Sequence, residues 1–199
     1  MPAPTPARGR PRDPRTQRDI MRATRRLLAR DSYEQVTIDA IAREAGVSRP
    51  TVYRRWPSKA HVVFEAAFGQ PPDAALIENS GDFETDLVVF VRGVLQFWRE
   101  PVVEAAALGI LADRKRDREL HIRTQQLLDE RTRTEFGTLM RSGVAQGLVR
   151  ADVDVDMLYH LLIGTAFYLT QVQHSDLADP AERLCSLVIQ GAGNESENR

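Results

Sequence analysis

Seven consecutive residues, Arg49-Pro50-Thr51-Val52-Tyr53-Arg54-Arg55, hold three guanidinium groups, a phenol and a hydroxyl. Arginine suits a bidentate contact with guanine O6 and N7. This set fits gripping and reading a duplex nucleic acid rather than bond-making chemistry. His160 and His174 lie 14 residues apart on one predicted helix, about 21 Å along its axis, too far to share an ion. His61 and His121 lack a companion at ligand spacing. There is no glycine-rich phosphate loop, nucleophile elbow or paired-carboxylate site. The sequence therefore predicts no catalytic residues, no metal and no cofactor, hence not an enzyme. The single cysteine, Cys185, excludes an internal disulfide framework and reads as a small buried apolar residue.

The charge is arranged to match. The 199 residues sum to −1, but residues 1–60 carry +8 and the remainder −9. Phosphate contacts supply most non-specific affinity for nucleic acid, so a basic head on an acidic body confines binding to one end. No apolar run reaches the roughly 18 residues of a membrane span, and the arginine-bearing N-terminus has no apolar core behind it. The expected setting is cytoplasmic and away from membranes.

The elements that must position the cationic run are helices. Residues 1–13 read as a flexible basic arm. Asp13-Pro14 marks a helix start, with Ile20, Ala23, Leu27 and Leu28 on one face and arginines on the other. Thr37 caps a second helix, and Gly46 ends it in a left-handed turn. Ser48 caps a short third helix to about Trp56, and Ser58 a fourth to about Phe68. A helix, a tight glycine turn and a short second helix make a helix-turn-helix, whose second helix can enter a major groove. Gly69-Gln70-Pro71-Pro72 breaks the chain. Beyond it, helices are expected from Asp82, from Pro101, as one long segment over about 118–146, over 154–173, and over 180–190. No period-2 strand is apparent. The class is all-α: residues 14–68 form a helix-turn-helix DNA-binding domain, 73–191 a larger helical effector-binding and dimerisation domain, and 192–199 a disordered tail.

These residues resemble the DNA-binding domain of the TetR family of bacterial transcriptional regulators. Thr37, Ile41, Ala42, Ala45, Gly46, Val47, Ser48, Thr51, Tyr53, Trp56 and Lys59 stand at the family's spacing, over about residues 15–65. Trp56 departs from the phenylalanine of many members. The resemblance implies that Thr37 touches a phosphate, that Arg49, Pro50 and Thr51 face base edges or backbone, and that Tyr53 and Lys59 clamp phosphates. Arg55 stands where a base or phosphate contact is common. Arg54 is either a contact or solvated, and Trp56 either core or a DNA contact. In the arm, Arg8-Gly9-Arg10-Pro11-Arg12 resembles the core of an AT-hook, and Arg8 and Arg10 fit a narrow minor groove.

A helix-turn-helix usually reads DNA as a dimer on a palindromic operator. The candidate dimer residues are Leu158, Leu162, Thr165 and Leu169 on one helix and Leu184 and Val188 on the last, with Leu161, Tyr168 and Val172 on another face. The alternative is that this face packs within one chain. Phe90, Val94, Phe97, Trp98, Phe136, Met140, Tyr159, Phe167 and Gln171 either line a cavity for a small apolar effector or are plain core. Phe64 and Phe68, beside Leu87 or Leu108, are expected to couple head and body. The reading that follows is a homodimeric repressor released from its operator by a small apolar ligand. A DNA-binding regulator controlled by a protein partner is the alternative.

Overall fold

The computed structural model describes residues 14–69, 80–126, 130–174 and 178–192. The expected arm with Arg8 and Arg10, the breaker at 70–72 and the tail beyond 192 lie outside these residues. Within the described residues every regular element is helical.

Four helices make the head: α1 (Pro14–Leu28), α2 (Ile38–Glu44), α3 (Arg49–Tyr53) and α4 (Lys59–Phe68). α1 buries Ile20, Ala23, Thr24, Leu27 and Leu28 and leaves most of its arginines outside. That stripe rests on α2 and α4. α4 is buried on nearly every side, from Ala60 to Phe68, as a helix walled in by partners must be. It packs on α1 in the head and on α6 and α7 of the body.

The body comprises α5 (Phe83–Arg99), α6 (Pro101–Asp113), α7 (Arg118–Gln125), α8 (Arg131–Ala145), α9 (Val155–Phe167) and α10 (Pro180–Ala192). Aspartates start four of them, Asp179 accepting the Glu182 N–H at 3.2 Å ahead of α10. Asp82, Asp117 and Asp154 each accept the backbone N–H three residues on, at 2.9–3.0 Å, satisfying donors that a helix start leaves unpaired. Proline opens α6, where its missing N–H costs nothing. α5 is the central post, packed against α6, α8, α9 and α10. Gly147 turns the chain after α8 with φ +75°.

Three expectations change. The long helix over 118–146 is two α-helical stretches, α7 and α8, with π-type turns at Gln126 and Glu130 on either side of residues outside the described set. The helix over 154–173 is α-helical only to Phe167 and continues as a π-helical segment, Tyr168–Val172. Thr170 Oγ1 bonds back to the Ala166 carbonyl at 2.8 Å within it. α10 runs on to Ala192, two residues beyond the expected end.

One contiguous core links the parts. It extends from Ile20 and Ile41 through Phe64 and Phe68 to Phe90, Phe136 and Val188. Phe68 meets Phe97 at 6.1 Å between ring centres, and Leu87 is buried in the same core as Phe64 and Phe68. Leu108, expected beside Phe64 and Phe68, is 53% exposed and is not part of it.

Candidate nucleic-acid interface

Thr37 holds the start of α2 with an extended backbone, and its Oγ1 accepts the N–H of Ala40 at 3.1 Å. At the other end the Val47 N–H reaches the Ala42 carbonyl at 2.9 Å while Gly46 takes φ +67°. This is the left-handed stop that favours glycine. α3 then begins at Arg49 with Pro50 in its first turn. It ends at Tyr53, earlier than the expected Trp56. Ser48 sits at the N-cap, but its hydroxyl pairs with that of Thr51 at 2.9 Å and makes no cap bond.

The two helices close on a small apolar wedge. Ile41, Ala42 and Val52 are buried, and Ala45 and Val47 pack against them. With Val52 turned in, the outward face of α3 is fixed. Ser48, Arg49, Pro50, Tyr53 and Arg54 are exposed there, and Thr51 and Arg55 are half-buried. Thr37 is exposed at the neighbouring end of α2. The structure thus gathers Thr37, Ser48, Arg49, Pro50, Thr51, Tyr53 and Arg54 on one side of the head. Arg49 is already paired, its Nε 2.6 Å from Asp39 Oδ1.

Two aromatic and cationic residues of the motif turn inward instead. Trp56 is 2% exposed, and its Nε1 donates to Glu65 Oε2 at 2.7 Å; it is core. Lys59, which the resemblance assigns to a phosphate, is half-buried. Its Nζ donates to the Tyr33 carbonyl at 2.9 Å and stands 3.9 Å from the Tyr33 ring centre. The Tyr33 hydroxyl in turn donates to Asp113 at the end of α6. Burial, and then that bond, hold the Tyr33 phenol well above its ordinary range. Tyr33 thus joins the head to the body, and Lys59 braces it from the head side.

Glu65 on α4 is a second joint. It accepts from Trp56 and, at 2.8 Å, from Gln17 of α1, and Arg123 of α7 lies 3.7 Å away. Arg25 of α1 adds a third, donating to the Ala66 carbonyl at 2.7 Å and to Glu100 Oε1 at 2.6 Å. Sequence reasoning missed Tyr33, Glu65 and Asp113. Their partners lie 9 to 80 residues away, and no local pattern signals them.

In the body, the aromatic residues expected around an effector do come together. Phe90 and Phe136 lie 5.3 Å apart, Phe136 and Tyr159 5.8 Å, and Trp98 and Phe167 5.1 Å between ring centres. Phe90, Phe136, Met140 and Tyr159 are fully enclosed, Val94 and Trp98 nearly so, and Phe97 and Phe167 half-buried. Gln171, named with them as cavity lining or core, is buried and spends its amide on the Trp98 carbonyl at 2.6 Å.

A groove of about 430 Å³ opens elsewhere, between α9 and α10. Leu158, Leu162, Thr165, Leu184 and Val188 line it. Leu162 and Val188 are buried, so they form its floor, while Leu158, Thr165, Leu169 and Leu184 are half-buried. The most exposed apolar side chains of its rim are Met157, Leu161 and Leu187, at 57%, 58% and 67%. Tyr168 and Val172 extend this outward apolar row on the π-helical segment. Met157 and Leu187 were absent from the sequence reading of this face. Among the described residues no helix is long and apolar enough to cross a membrane.

Comparison with known proteins agrees with this geometry. Residues 20–66 match the family model "Bacterial regulatory proteins, tetR family", and residues 77–188 match "Tetracyclin repressor-like, C-terminal domain". The chain is 29% identical over 175 residues to the HTH-type transcriptional regulator YdeS of Bacillus subtilis, 86% of each chain. In fold it is similar to a transcriptional regulator from Saccharomonospora viridis in complex with choline. There the TM-score is 0.67 at 24% identity, over 89% of this chain and 97% of that one. It is likewise similar to the regulator FadR from Bacillus subtilis in complex with stearoyl-CoA. The TM-score is 0.66 at 16% identity, over 87% and 98% of the two chains. Two adjoining family matches cover most of the sequence, and the first falls on the helix-turn-helix just described, so the chain belongs to the TetR family of DNA-binding bacterial transcriptional regulators.

Proposed function

We propose that the chain is a homodimeric repressor that holds a palindromic operator through α3 and releases it when a small apolar ligand binds the body. The observation that carries the reading is the outward face of α3, where Arg49, Pro50, Tyr53 and Arg54 are exposed to solvent. Arg49 reads a base edge, Thr51 and Arg55 touch base or backbone, and Thr37, Ser48, Tyr53 and Arg54 take phosphates. Two such heads on successive major grooves need a spacing of about 34–36 Å. The exposed Met157, Leu161 and Leu187 beside the α9–α10 groove supply the self-complementary surface of a two-fold pair. A ligand among the aromatic residues between α5, α8 and α9 would favour a dimer whose heads are spaced wrongly. Neighbours of the same fold hold choline and stearoyl-CoA, which supports a body that accepts small molecules.

The test uses the intact protein and the DNA upstream of its own gene. Sedimentation should give a dimer that shifts this DNA, and a small apolar effector should release it where a salt-matched blank does not. Leu161→Asp with Leu187→Asp should yield monomers that lose the shift. A protein that stays monomeric and ignores the DNA in dilute buffer refutes the reading. A dimeric, DNA-bound protein that no small molecule releases refutes its ligand arm.

A further inference from the structure

Asp39 is the second residue of α2 and Arg49 the first of α3. Their side chains meet across the turn, Nε to Oδ1 at 2.6 Å, while remaining 57% and 52% exposed. A pair this open to water contributes little to the fold. A carboxylate on a face that must approach phosphates also repels them. Its placement is accounted for by what it does to Arg49. Arginine loses much rotamer freedom when fixed, and its planar fork then presents its donors in a set direction. With Nε engaged by Asp39, the end of the fork, Nη1 and Nη2, is the edge left to meet guanine O6 and N7.

We propose that Asp39 is a specificity-determining residue of this regulator: it orients Arg49 through Nε toward a guanine edge in the major groove and penalises sequences that do not engage that fork. The inference rests on Arg49 being a base reader. Asp39 prepays the ordering of the arginine before DNA arrives. Over a scrambled sequence the same carboxylate offers only repulsion, so non-specific binding is weakened while the specific complex is spared.

The experiment uses the full chain and a duplex enriched from a random pool by the wild-type protein. Fluorescence anisotropy gives Kd for that duplex, for each single-base substitution of it, and for a scrambled duplex. Arg49→Ala should abolish the guanine preference at one position of the half-site. Asp39→Ala should reduce that same preference by roughly 1.5- to 5-fold, the most that an ion pair this exposed can hold in place, and should tighten the scrambled duplex. Asp39→Asn keeps an acceptor for Nε but no charge, so it should retain most of the preference while still tightening the scrambled duplex. In the Arg49→Ala background, Asp39→Ala should alter no base preference. A mere loosening of α2 against α3 would weaken every sequence alike. The proposal is overturned if Asp39→Ala leaves intact the preference that Arg49→Ala abolishes, or shifts base preference equally without Arg49. If Arg49→Ala itself changes no preference, base reading by Arg49 fails first and takes this inference with it.

Discussion

The Tyr33 ring packs directly against Gly109 of α6, and adding one methyl group there tests the joint between head and body. A Cβ at position 109 would stand 2.2, 2.4 and 2.8 Å from Cδ1, Cγ and Cε1 of Tyr33. Carbon atoms pack best at about 3.5–4 Å, so ring or helix must yield by about 1 Å. The ring has little freedom to do so: it is 5% exposed, bound at its hydroxyl to Asp113 and covered by the Lys59 ammonium. Overpacking of this kind costs about 1–3 kcal/mol. Alanine in place of a helical glycine returns about 0.5–1 kcal/mol. Gly109→Ala should therefore lose up to about 2.5 kcal/mol, a fall in Tm of up to about 10 °C for a chain of this size. Thermal and urea unfolding followed by circular dichroism would measure it. The decisive arm repeats the substitution in a Tyr33→Ala background. With the ring gone the clash is gone, and the same change should stabilise by about 0.5–1 kcal/mol. An equal loss in both backgrounds refutes the steric reasoning.

Two other outcomes are expected. At Gly46 a Cβ meets nothing within 4 Å, but φ is +67°, so Gly46→Ala should cost about 1–2 kcal/mol in urea unfolding from backbone strain alone and leave base preference unchanged. Burial pushes the Cys185 thiol up to about 12 from an ordinary value near 9. A group whose folded value is raised stabilises fully below its unfolded value and loses that contribution as pH climbs toward the folded one. Relative to Cys185→Ala, the native chain should thus lose about 1.5 kcal/mol more stability between pH 9 and 10.5, as read by urea unfolding. Parallel curves would contradict the burial.

The helix-turn-helix was legible because its signals are local. Thr37 caps, Gly46 stops, Val52 turns inward and the cations of α3 face out, all within twenty residues. The helix starts at Asp82, Asp117 and Asp154 follow from the same chemistry. Two kinds of feature were not legible. The π-helical run Tyr168–Val172 changes the helical period without any glycine or proline to mark it, so a 100° wheel loses its aim beyond Phe167. Contacts across the fold leave no spacing either. Lys59 fits a phosphate clamp by position, yet a carbonyl 26 residues earlier holds it. The face of α9 and α10 was recognised as apolar, but only packing decides that Leu162 and Val188 point in while Leu161 and Leu187 point out.

α4 has consequences for how the molecule comes apart. Its buried residues, from Ala60 and Val62 to Phe64 and Phe68, complete the interior of the head and the interior of the body at once. Excising residues 14–68 would strip one side of that helix and leave its phenylalanines in water. The DNA reader is thus no detachable cassette: it should melt in a single calorimetric transition with the rest, and transplanting it would mean carrying α6 along.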